Sequence, residues 1–182
     1  LRRRGGAFPP LARGRMSEPG RLRCLGLGLA FATMALDQLT KWWIVNFVMN
    51  PPSVIEVTPF FNLVLGLNRG VSFGIFSSDS NLSRWLLMAL ALAIVCALAV
   101  WLWRAEKLWL AVALGLIIGG AIGNVIDRAM VGAVVDFFDF HAADYHWPAF
   151  NVADMGITCG ATVLIWDSVF GYQRDNFDGE KG

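Results

Sequence analysis

Charge is what this chain has least of. Asp, Glu, Lys and Arg make up 16% of its 182 residues, against 56% hydrophobic residues, and the mean hydropathy is +0.54. A soluble domain of this length needs more polar surface than that. The 15 basic and 14 acidic residues nearly cancel, leaving +1, so no basic footprint for nucleic acid is present. Cysteine is scarce too: Cys24, Cys96 and Cys159 lie in or beside apolar runs. An odd count in such places argues against a disulfide framework and for buried thiols. Only Cys24 has a basic neighbour, Arg23, so a thiolate nucleophile is a poor reading. The two histidines, His141 and His146, stand in "DFHAADYHW" with Asp139 and Asp144. Their spacing matches no helical metal motif, and a wet loop with solvated carboxylates explains them as well.

What the chain has instead is long apolar runs. Four of them, Leu25–Val48, Trp85–Trp103, Leu108–Ile126 and Val152–Phe170, are each of about the 20 residues that a helix needs to cross a bilayer, the first being the longest. Residues 1–21, rich in Arg, Gly and Pro, read as a basic disordered extension in which Met16 is a natural start. No small-residue cleavage site follows the first apolar run, which argues against a removed signal peptide. Residues 22–170 then form one four-helix membrane domain, and residues 171–182 a tail.

The Lys and Arg distribution sets the direction. Arg13, Arg15, Arg21 and Arg23 precede the first run, Arg104 and Lys107 fill the short second loop, and Arg174 and Lys181 follow the fourth run. The long connections, about 50–84 and 127–151, carry just Arg69, Arg84 and Arg128. Both termini are therefore expected in the cytoplasm. Trp42, Trp43, Trp85 and Trp147 would form an outer belt and Trp101, Trp103, Trp109 and Trp166 an inner one. Gly115, Gly119 and Gly123 in the third run are four apart, the spacing of closely packed membrane helices. "SVIEVTPFFNLVLGLNRGVSFGIF" and "VGAVVDFFDF", in the two long connections, read as strands and turns. An open sheet cannot sit in hydrocarbon, so these should roof the bundle on its outer side.

Ionisable groups in membrane segments are costly and suggest function. Given this topology, Asp37, Lys41, Asn124, Asp127, Arg128, Asp136, Asn151 and Asp154 all fall into one layer near the outer interface. Asp37 and Lys41, four apart on one helix face, read equally as a self-neutralising pair or as support for a site. Asp127 with Arg128 reads as a helix-end charge cluster, and Asn68 with Gly70 as a turn. Ser72 with Lys41 makes a weak nucleophile pair. Asp136 and Asp154 have predominantly apolar neighbours. Brought together in a partly dehydrated site, such carboxylates share a proton, as aspartyl hydrolysis requires, although a proton relay would use them too.

Five blocks in order, "LDQLTK" (36–41), "NRGVSF" (68–73), "GNVIDR" (123–128), "VVDF" (134–137) and "PAFNVAD" (148–154), resemble the lipoprotein signal peptidase (signal peptidase II) family of bacterial inner membranes. The resemblance covers about 22–170. It implies a four-helix bundle with an extracytoplasmic β-sheet cradle, and an aspartic endopeptidase needing no metal or organic cofactor. Its implied substrates are diacylglyceryl-modified prolipoproteins, cut immediately before the lipidated cysteine near the periplasmic face. It maps the catalytic pair onto Asp136 and Asp154, a choice over Asp139 that spacing does not make. It implies supporting or substrate-binding roles for Asp37, Lys41, Asn68, Gly70, Asn124, Asp127, Arg128 and Asn151. The Arg-rich start has no counterpart in the family pattern.

Membrane lipid is the other expected partner, and one chain holds the whole site, so a monomer suffices. A proton-coupled transporter using Asp37, Asp136 and Asp154, and a non-catalytic assembly factor, are the competing readings. The second and third runs carry almost no polar residues below the outer layer, which counts against the transporter.

Overall fold

The computed structural model describes residues 18–70 and 80–179, without the side chains of residues 80 and 171–179. Ser72 lies outside them. Four helices form the body: α1 (Glu18–Trp43), α2 (Ser80–Trp103), α3 (Leu108–Met130) and α4 (Val152–Gly179). Each contains a stretch long and apolar enough to cross a membrane. α1 continues through a π-helical turn, Ile44–Val48. It starts at Glu18, so residues 18–21, grouped by composition with the basic extension, are its first turn.

α3 is the central helix and packs on all three others. Helices in lipid gain nothing by hiding apolar side chains from a solvent that is itself apolar, so close backbone approach has to hold them. Gly115 lies against Gly26 of α1, Gly119 against Ala30 of α1, and Gly120 against Ala153 of α4. Around these contacts Ala30, Leu102, Ala105, Ala111, Leu114 and Ile118 form a buried cluster. The outside of the bundle is equally apolar, with Phe31, Leu90 and Ile165 exposed. Cys24, Cys96 and Cys159 lie on that outside, free and exposed rather than buried. Where the surroundings are hydrocarbon, an apolar stretch of sequence does not distinguish inside from outside.

The two long connections meet in one antiparallel sheet, ordered β1 (Ile55–Thr58), β2 (Phe61–Asn68), β3 (Val134–Ala142) and β4 (Tyr145–His146). It stands at the end of the bundle where α1 and α3 finish and α4 begins. Phe137, 1% exposed, pins β3 to Ile44 and Met49 beyond α1. β2 and β3 pair Asn62 with Asp139 and Gly66 with Asp136, with an irregularity between them.

That register overturns the expectation of a solvated Asp139, while Asp144 is exposed as expected. Asp139 is buried and accepts hydrogen bonds from Asn62 Nδ2 at 3.1 Å and His146 Nδ1 at 2.9 Å. Burial pushes its carboxyl up, but these bonds and the charges of His146 and His141 outweigh it and hold Asp139 below the usual carboxylate range. Its partner Asn62 lies 77 residues away, beyond what a local reading of the loop can see.

Candidate active site

Asn151 precedes α4, where the first turn leaves backbone N–H groups without helical partners. Its Oδ1 accepts the Asp154 N–H at 3.0 Å, and Asp154 Oδ2 accepts the Asn151 N–H at 3.2 Å. This reciprocal cap is the familiar N-cap and N3 exchange with shorter side chains. A carboxylate there also favours the positive end of the helix. Capping thus accounts for one Asp154 oxygen. The other, Oδ1, faces α3 and accepts from Asn124 Nδ2 at 2.8 Å.

Asp136 reaches the same place from β3 and is 3% exposed. Asn151 Nδ2 donates to its Oδ1 at 2.7 Å, so Asn151 donates to both carboxylates, to Asp136 from its side chain and to Asp154 from its backbone N–H. Asn68 also hydrogen-bonds Asp136. The Asn68 Oδ1 is taken by the Gly70 N–H at 2.9 Å, closing a turn in which Gly70 has φ +77°, a conformation that favours glycine. The Asp136 carboxyl is pushed up from 3.8 to about 6. Burial is the main cause and the nearby Asp154 charge adds to it, against the bonds from Asn68 and Asn151 and the charge of Lys41. Asp136 and Asp139 are three apart on one strand, so they face opposite ways. Asp139 is committed to Asn62 and His146, whereas Asp136 joins the cluster at the start of α4.

Beneath this pair lies a buried ionic group. Lys41 Nζ stands 2.8 Å from Asp37 Oδ2 and 2.7 Å from Asp127 Oδ2, and donates to Asn124 Oδ1 at 3.2 Å. Asp37 is 0% exposed, and its Oδ1 accepts the Ala153 N–H at 2.9 Å. Asp127 Oδ2 accepts the Val135 N–H at 3.0 Å. A methyl group on Gly123 would stand 2.6 Å from Asp37 Oδ2, so α3 is bare where the carboxylate crosses it. Arg128, half-buried at the end of α3, donates to the Asn124 carbonyl at 3.3 Å and acts through its charge on Asp154, Asp127 and Asp136.

Eight of the ten residues selected from the sequence thus meet around the start of α4, and Asn68 with Gly70 closes the edge of the group. The Asp37–Lys41 pair is more than self-neutralising, since it extends to α3 and α4. Gln38 is the member that the sequence does not advertise. Its Nε2 donates to Asp127 Oδ1 at 2.8 Å, and to Asp37 Oδ2 and the Gly123 carbonyl at 3.2 Å each. An uncharged amide in an apolar run carries little signal. Its place between Asp37 and Lys41 is the one clue.

Residues 29–170 match the family model described as signal peptidase (SPase) II. The chain belongs to the signal peptidase II family. It is 50% identical over 147 residues to the lipoprotein signal peptidase of Methylorubrum extorquens (strain PA1), covering 79% of this chain and 85% of that one. It is 49% identical over 142 residues to that of Azoarcus sp. (strain BH72), covering 77% and 80%. Among solved structures it resembles a bacterial membrane enzyme determined by the in meso method at 2.3 Å resolution, with TM-score 0.70 and 30% identity over 82% of this chain and 90% of that one. A second, determined by the same method at 1.9 Å, gives TM-score 0.68 and 32% identity over 77% and 89%. The family's four apolar helices and small antiparallel sheet are those described above.

Proposed function

We propose that this chain is a membrane aspartic endopeptidase that removes signal peptides from lipoproteins, with Asp136 and Asp154 as its catalytic pair. Membership of the signal peptidase II family supports the activity. The observation that carries the pair is Asn151, hydrogen-bonded to both carboxylates at once. Burial pushes the Asp136 carboxyl up to about 6, which favours it as the member that takes the proton when the pair shares one. Asp154 takes a proton from water as the resulting hydroxide attacks the scissile carbonyl carbon, and Asp136 hydrogen-bonds the carbonyl oxygen. Collapse of the tetrahedral intermediate breaks the C–N bond, and the leaving amine takes the proton that Asp154 removed from water, which returns the pair to its starting state.

The substrate is a prolipoprotein carrying a diacylglyceryl group on cysteine, cut just before that residue. A bond anchored by lipid lies near the membrane surface, which suits a carboxylate pair at the end of the bundle beside the sheet. The charge distribution favours cytoplasmic termini and a periplasmic site in the inner membrane. Exposed Trp42, Trp43, Trp85 and Trp147 suit an outer interface. A monomer suffices. Gly70 and Arg128 border the pair, where the peptide would lie. The test is Asp136→Asn and Asp154→Asn, each purified and given a diacylglyceryl-modified prolipopeptide. Each should lose roughly 100-fold or more in kcat. Parent-like processing by either one rejects the pair.

A further inference from the structure

The two carboxylates beside Lys41 do the same thing on opposite sides of the site. Asp37 binds the N–H of Ala153, the residue directly before Asp154. Asp127 binds the N–H of Val135, the residue directly before Asp136. Ala153 lies in the first turn of α4 and Val135 in β3, elements that no covalent geometry brings to a common spacing. The Lys41 ammonium joins the two clamps, 2.8 Å from one carboxylate and 2.7 Å from the other. From these contacts we propose that Lys41 is a positioning residue, which sets the separation of Asp136 and Asp154 by holding together the two carboxylates that clamp the backbone before each. The proposal rests on Asp136 and Asp154 being the catalytic pair.

Three further observations point the same way. Lys41 donates to Asn124 Oδ1, which turns the Asn124 Nδ2 toward Asp154 Oδ1. Gln38 ties Asp37 to Asp127 a second time. Lys41 is 4% exposed, its ammonium consumed by Asp37, Asp127 and Asn124, so it has no free face for substrate. Arg128 is the other cation acting on the carboxylates, through Asp154, Asp127 and Asp136. It stands on α3 and joins neither clamp to the other. Without Lys41, the ammonium bridge between the two clamps is gone, and the residues they hold are no longer kept at one spacing.

The test is Lys41→Met in the full chain in detergent, with kcat and KM measured on a diacylglyceryl-modified prolipopeptide and folding followed by thermal melting. A displaced pair predicts that kcat falls by roughly 100-fold while KM changes by less than about threefold. A folded variant with kcat within about threefold of the parent overturns the proposal, and so does a loss confined to KM. Removing the cation leaves two buried carboxylates uncompensated, which endangers folding. The neutral variant Asp37→Asn/Lys41→Met/Asp127→Asn therefore runs beside it, keeping an amide oxygen for each backbone N–H, with the same kcat loss expected. Failure of both to fold makes Lys41 a folding residue and also overturns the proposal. Asp136→Asn and Asp154→Asn separate the two readings. If those are inactive and the folded Lys41 variants are not, the pair stands and the positioning falls. If those are active, the pair itself is wrong.

Discussion

Asn151 and Asp154 cap each other across the first turn of α4, and the amide left over from that exchange reaches Asp136 at 2.7 Å. A helix start and the approach of two carboxylates thereby depend on one residue, which binds Asp154 through its backbone N–H and Asp136 through its side chain. Asn151→Ala should lose the cap, about 1 kcal/mol of stability. It should also raise the Asp136 ionisation above about 6, because the bond from Asn151 lowers it. Carbon-13 NMR titration of labelled aspartate checks the direction, and a downward or absent shift contradicts the assignment.

Holding Asp136 buried between hydrogen bonds has a cost to folding that depends on pH. Its carboxyl binds a proton more tightly folded, at about 6, than unfolded, at 3.8. Stability therefore falls as pH rises through that window, by up to about 3 kcal/mol above it. Asp136→Asn should melt higher than the parent at pH 7, and the advantage should vanish below pH ~4. Melting curves at the two pH values in one detergent measure it, and an advantage independent of pH would point to another cause.

The strand alternation that separates Asp136 from Asp139 is testable by contrast. Asp139→Asn keeps an acceptor for Asn62 and leaves the face of β3 carrying Asp136 untouched. It should retain kcat within about threefold, where Asp136→Asn loses roughly 100-fold or more. Equal losses in the two variants would return Asp139 to candidacy. Asp139 also works in the opposite pH sense. Its carboxyl is lowered in the fold, so its contribution is present above its unfolded value and is lost as pH falls through the folded one.

Close helix approach makes sharp demands on small residues. A Cβ at Gly120 would overlap the Ala153 carbonyl, while one at Gly28 meets nothing within 4 Å. Gly120→Ala should destabilise by roughly 1–3 kcal/mol. Gly28→Ala should stabilise by up to about 1 kcal/mol through helix propensity. Thermal unfolding of the two variants side by side decides it, and a harmless Gly120→Ala would mean that α3 and α4 can separate freely.

Much of this was legible in the chain. Among the described residues, the four membrane-length runs, the packing glycines and the strands of the two long connections lie where hydropathy and periodicity put them, because those signals depend on neighbours in sequence. The helices run further than the apolar stretches: α2 begins at Ser80 and α4 continues to Gly179, since helical hydrogen bonding does not stop where hydrophobicity does. Exposed Cys24, Cys96 and Cys159 and buried Asp139 were not legible, for opposite reasons. A lipid-facing surface is as apolar as a core, and a loop carboxylate is buried by a strand 77 residues away.

By itself, the sequence determined the number and order of the apolar segments and the existence of one layer of Asp, Asn, Lys and Arg at their shared end. Length and local polarity suffice for that. Only the tertiary structure decided what each of those groups holds. Asp37 reaches Ala153 across 116 positions, and Gln38 reaches Asp127 across 89. Such bonds form only after glycine contacts have drawn α1, α3 and α4 together. The partner each carboxylate finds then sets what it does, Asp154 capping α4 while Asp37 and Asp127 hold the backbone N–H groups of Ala153 and Val135.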